Sequence, residues 1–238
     1  VGTLSADAVE PRNPLPAVGG LAPEPVAEVK LLAPSAFRSR RERAITAADY
    51  AQLAGRDPRL QRASADLRWT GTWYEARVAV DPADTERPPE GLLESLEHQL
   101  ERYRRMGHDL EVVGARYVPI ALTVDVCLLP HAPRGAVLAG LLGILGNGPL
   151  PDGRLGFFHP DNLSFGDGIR VSKVVAAALG VDGVETLKVT KLQRLDGPDV
   201  AAPAAGILSL GPAEIAQLDN DADFPENGVL IVNLIGGR

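Results

Sequence analysis

Apolar residues recur along this chain at two spacings, one of about 3.6 residues and one of 2, and the places where the spacing changes outline its elements. Ile45 and Tyr50 flank the run Thr46-Ala47-Ala48-Asp49, a Thr-x-x-Asp capping pattern with an apolar staple, so a short helix is predicted over Ala47 to Ala54. Alternation follows. Ala63, Ala65, Leu67 and Trp69 alternate with polar neighbours, and after Thr70, Gly71 and Thr72 the alternation resumes at Tyr74, Ala76, Val78 and Val80. That is a hairpin with a three-residue turn, and the two tryptophans beside the turn are expected to pack. Pro88 and Pro89 then open a helix whose stripe is Leu93, Leu96, Leu100 and Tyr103, with Gly107 as its stop. Its other face, Glu97, Glu101, Arg104 and Arg105, reads as solvated, with Glu101 and Arg105 paired one turn apart.

The clearest strand sets Ile120, Leu122, Val124, Val126 and Leu128 on one face and Thr123, Asp125 and Cys127 on the other. From Pro133 to Gly146 the chain is apolar nearly all round, with Gly135, Gly140 and Gly143 inside the pattern, which predicts a helix buried on more than one side. Ser172 is placed to cap a helix that Gly180 ends. Val184 to Leu195 and Ile207 to Leu210 read as strands, and Val229 to Ile235 as a nearly continuous apolar strand of the kind buried on both faces.

Between these elements lies Asp152 to Gly168, which holds three of the five phenylalanines, Phe157, Phe158 and Phe165, among turn-forming Gly, Pro, Asp and Asn. It is predicted to be an ordered loop, since three aromatics offer enough burial to offset its ordering entropy. Phe157 and Phe158 are adjacent, so an extended backbone would point them to opposite sides. The resulting architecture is α+β: two successive small modules, helix-hairpin-helix over 33–116 and strand-helices-strands over 117–238, after an extended linker in 1–32. The linker reading rests on five prolines and two glycines between Pro11 and Pro25, and the start at Val1 suggests the back part of a longer polypeptide.

Charge and chemistry then narrow the function. The net charge of -7, without a basic stripe, argues against nucleic acid as a partner. No apolar run reaches the length of a membrane span. The single cysteine, Cys127, excludes an internal disulfide, and with no histidine near it in sequence it reads as structural. Asp219, Asp221 and Asp223 start like a calcium loop, but Phe224 replaces the turning glycine and Leu230 the bidentate glutamate. His98, His108, His131 and His159 form no metal-ligand pair, and Gly143, Gly146 and Gly148 have no nucleotide-binding spacing. No catalytic, cofactor or metal residues are therefore nominated. Two other classes stay open: a hydrolase using Asp125, Asp161 or His159 between the modules, and a sugar-binding module using Trp69 and Trp73.

Longer motifs are more specific. The helix start AITAADYAQLA, the hairpin WTGTWYEARVAVDP, the run LEHQLERYRRMGHDLEV, the loop DGRLGFFHPDNLSFGDGIRVSKV and the tail GPAEIAQLDNDADFPENGVLIVNLIGGR together resemble the J-like baseplate wedge family of contractile phage tails and phage-tail-like contractile injection systems. The resemblance spans Asn13 to Arg238; the connection GRDPRLQRA is shorter than the family's usual link, which touches the hairpin register. It implies a structural wedge subunit with no cofactor, assembled in the cytoplasm into a particle with sixfold symmetry. Its implied partners are other wedge subunits, a second copy or paralogue of itself, and hub, spike and sheath-proximal proteins. For such a role the aromatic loop and the glycine-lined helix are the candidate subunit interface, through Phe157, Phe158, Phe165, Leu141 and Leu145.

Overall fold

A computed structural model of the chain describes residues 25–27, 29–30, 43–83, 85, 87–197 and 206–238. Residues 1–42 form one unit and 43–238 a second, compact one. Of the linker predicted in 1–32, only 25–27 and 29–30 fall within the described residues; 26, 27, 29 and 30 are helical.

The compact unit opens with helix α1 (Ala47–Ala54). Its capping box forms as the sequence predicts: the Asp49 N–H donates to Thr46 Oγ1 at 3.3 Å and the Thr46 N–H to Asp49 Oδ2 at 2.9 Å. Tyr50 is fully buried, whereas Ile45 stays 41% exposed, so the cap is made by these hydrogen bonds rather than by an apolar staple. Strands β1 (Leu60–Trp69) and β2 (Tyr74–Pro82) pair antiparallel, with Trp69 opposite Tyr74. Four residues, Thr70–Trp73, make the turn, with Gly71 at φ +104°. Trp69 and Trp73 are 59% and 51% exposed, against the packing expected of them. They stand at the tip of the ribbon, beyond the reach of the core. Helix α2 (Leu92–Glu101) then returns the chain so that β3 (His108–Gly114) lies parallel to β2. This helix is shorter than its pattern: Gly91, in the left-handed region at φ +76°, starts it after the two prolines, and it ends at Glu101, not at Gly107. Its buried stripe is Leu92, Leu96 and Leu100, and Glu101 pairs with Arg104 at 2.9 Å instead of Arg105. These elements enclose one core around Tyr50, Val78, Val80, Leu96 and Leu100.

A second core forms around β4 (Arg116–Leu128), which has β6 (Val184–Arg194) antiparallel on one side. On the other side run, in parallel, β8 (Glu214–Gln217) beside its first residues and β9 (Val229–Gly236) beside the rest. A two-stranded piece pairs β5 (Ile169–Arg170) with β7 (Ile207–Leu208). Val118, Ile120, Leu122, Val124 and Val126 are fully buried beneath α3 (Arg134–Ile144), α4 (Val171–Leu179) and the aromatic loop. The architecture is α+β, as the sequence predicts.

Three expectations fail here for physical reasons. β9 pairs only with β4, so it is an edge strand, and Ile231 and Ile235, on its uncovered face, are 49% and 56% exposed. Among the described residues α3 buries one row, Val137 and Leu141 continued by Leu145 past its end, while Leu142 is 39% exposed. Ser172 lies inside α4, whose first residue is Val171, and makes no cap.

Candidate functional site

The aromatic loop is built onto the end of α3. A helix end leaves backbone carbonyls without partners, and here the loop supplies them: the Phe157 N–H donates to Ile144 O at 2.8 Å and the Phe158 N–H to Gly146 O at 3.1 Å. The approach demands glycine. A Cβ on Gly156 would stand 2.2 Å from Gly146 O. Asn162 Nδ2 donates to Gly156 O at 2.7 Å, and Pro160–Asn162 form a 3-10 turn. Because Phe157 and Phe158 lie in a turn and not in extended backbone, their rings do not diverge; they meet edge to face with centroids 4.9 Å apart.

Of the five residues nominated for subunit contact, Leu141 and Leu145 are fully buried and Phe158 is 2% exposed. All three are committed to this core, which takes them off the surface in this conformation. Phe157 and Phe165 pack against the core while keeping an accessible side.

The same loop forms one wall of a cleft of about 530 Å³ between the two cores. Arg62, Asp81, Tyr117, Phe158, His159, Asp161 and Asp219 all line it, delivered by β1, β2, β4, the loop and the segment after β8. This brings His159 and Asp161, two residues nominated for hydrolysis, beside two further carboxylates; Asp125 is elsewhere, accepting from Asn233 Nδ2 at 2.8 Å. The polar groups of the cleft are turned on one another. Asp81 accepts from Tyr117 Oη at 2.6 Å and faces Arg62 Nε at 3.3 Å. Arg62 Nη2 donates to Pro160 O at 2.7 Å, and Gln61 Nε2 donates to Asp161 Oδ1. His159 Nδ1 accepts the Asp161 N–H at 3.1 Å, and Asp219 accepts from Asn147 Nδ2 at 3.0 Å and Gln217 Nε2 at 2.8 Å. A general base needs a free lone pair aimed at a substrate proton. Each of these acceptors already holds at least one neighbour, and three of the bonds, Gln61 to Asp161, Arg62 to Pro160 O and Tyr117 to Asp81, join the two walls of the cleft. The arrangement crosses between elements far apart in sequence and belongs to no short motif, so sequence reasoning missed Gln61, Arg62, Asp81 and Tyr117.

Perturbed titration marks other places. Arg194 donates to both oxygens of Glu214, at 2.9 and 2.8 Å, and to Asp196 at 3.0 Å. This guanidinium holds both carboxyls below their ordinary range. His108 is buried with its Nδ1 3.1 Å from Tyr50 Oη; burial, with Arg105 and Arg104 nearby, pushes its pKa down, and burial pushes the Tyr50 hydroxyl up. Cys127 is half-buried and unpaired. Among the described residues no three His, Cys, Asp or Glu side chains are grouped to hold a metal ion, and no helix is long and apolar enough to cross a membrane.

Residues 42–113, less than a third of the chain, match the family model described as the Baseplate J-like central domain, in agreement with the resemblance to J-like baseplate proteins. Among solved structures the chain is similar to a chain in the cryo-EM structure of the anti-feeding prophage baseplate, sixfold symmetrised, with a TM-score of 0.53 and 18% identity. The likeness covers 87% of this chain and 44% of that one, so the chain spans less than half the length of the protein it matches, and at this identity it concerns the fold. No curated protein matches the sequence.

Proposed function

We propose that the chain is a structural, non-enzymatic part of the baseplate wedge of a contractile injection system or contractile phage tail, linking hub and sheath and taking part in assembly and triggering. The observation that carries this reading is the J-like central domain over residues 42–113, supported by the fold likeness to a baseplate chain over most of the remaining length. Its partners are other wedge subunits, a second copy or paralogue of itself, and hub, spike and sheath-proximal proteins within the particle. Neighbour contacts fall on accessible apolar surface: the outer sides of Phe157 and Phe165, carried on a base of Phe158, Leu141 and Leu145, and the hairpin tip with Trp69 and Trp73. The side-chain bonds that tie the walls of the cleft to one another agree with a role in structure. The test is co-purification. A tagged chain expressed with the neighbouring tail and baseplate genes should bring down baseplate subunits in fixed proportion. Recovery of the chain alone, under conditions where particles form, would remove this reading.

A further inference from the structure

We propose that the cleft is a latch, and that the two lobes on either side of it turn relative to one another as rigid bodies when it opens. The lobes, 43–114 and 116–238, have separate apolar cores, and among the described residues no strand of one pairs with a strand of the other. One stretch of backbone joins them, and it divides its hydrogen bonds: the Ala115 N–H donates to Val80 O in the first lobe at 2.8 Å, and the Arg116 N–H to Ala213 O in the second at 3.0 Å. That makes residues 114–116 the pivot. Across the cleft run Gln61 to Asp161, Arg62 to the Pro160 carbonyl, and Tyr117 to Asp81. Gln61 and Asp161 are exposed, so water can replace this partnership, unlike the packing inside either core. Asp81, 3% exposed, is the fixed post of the latch, because Arg62 neutralises it from within its own lobe while Tyr117 reaches it from the other. Domain closures of this kind need a short pivot, two rigid bodies and contacts that break without unfolding either body. The lobes meet all three conditions. The proposal stands whether or not the chain belongs to a wedge.

The test places spin labels at cysteines replacing exposed Glu97 in α2 and exposed Lys173 in α4, with Cys127→Ser removing the native thiol. The 238-residue chain should give one narrow distance distribution. In Gln61→Ala/Asp161→Ala, and separately in Tyr117→Phe, a second distance should appear, each lost hydrogen bond shifting the balance about fivefold, with circular dichroism unchanged. If the double variant lost its folded spectrum, Tyr117→Phe would decide. Unchanged distances in the folded variants, or a broad distribution already in the parent, would overturn the latch.

Discussion

Replacing Phe158 by Ala tests the docking of the aromatic loop most sharply. The ring is 2% exposed, belongs to the core around β4 and meets Phe157 edge to face. Removing it exposes no new polar partner, so the cost is the lost transfer energy plus the cavity, about 3–5 kcal/mol for a buried phenylalanine. The edge contact with Phe157 accounts for about 0.5–1.5 kcal/mol of that. The loop's backbone bonds to Ile144 and Gly146 are untouched by the change, so the loop should stay seated over a void instead of detaching. For a chain of this size each kcal/mol lowers Tm by about 2–4 °C, so the drop should be about 6–20 °C. Phe157→Ala removes a half-buried ring and should cost about 1–2 kcal/mol. Melting curves of both variants, with urea unfolding to check cooperativity, measure this directly. If Phe158→Ala melted within about 1 kcal/mol of the parent, or Phe157→Ala cost more, the loop would not be seated as described.

Other outcomes follow from the same contacts. Leu96→Ala, at a 1% exposed position in the middle of the α2 stripe, should cost about 2–5 kcal/mol in urea unfolding. Glu214→Gln should cost about 1.5–3 kcal/mol, since it halves a bidentate pair with Arg194. Glu214 and Asp196 titrate lower when folded than unfolded, so their contribution is complete above the unfolded carboxylate range and is lost as pH falls through the folded values; Glu214→Gln should flatten that acid limb of the stability curve. Calcium at millimolar concentration should leave Tm nearly unchanged, because both oxygens of Asp219 are held by Asn147 and Gln217; a large rise abolished by Asp221→Ala would contradict this.

What could be read from the sequence, and what could not, divides along physical lines. The capping box at Thr46, the hairpin of β1 and β2 and the buried face of β4 were legible because each is a local pattern with one geometric solution. The misassigned elements are those whose pattern admits more than one neighbour. A nearly continuous apolar run such as Val229–Ile235, interrupted only by Asn233, says that a strand is present, but whether it is central or at an edge depends on a partner strand that its own residues do not encode. Likewise α3 reads as apolar all round because its outer side carries Gly135, Ala136, Ala139 and the 39% exposed Leu142, apolar residues that face outward while Val137 and Leu141 face in. The cleft was not legible. Its lining residues are spread from Gln61 to Asp219, and the tertiary fold brings them to one place. The longer motifs pointed to a family where the short catalytic patterns pointed to nothing, and the match over 42–113 agrees with the three of them that lie within it.

The central claim, that this chain is a built part of a contractile particle's baseplate, is tested most directly by electron microscopy of particles purified through a tag on the chain and decorated with a tag-specific label. The label should appear at the baseplate end in sixfold arrangement, on particles that carry the chain in fixed proportion. Label absent from intact particles, or scattered along the tube and sheath, would contradict the account.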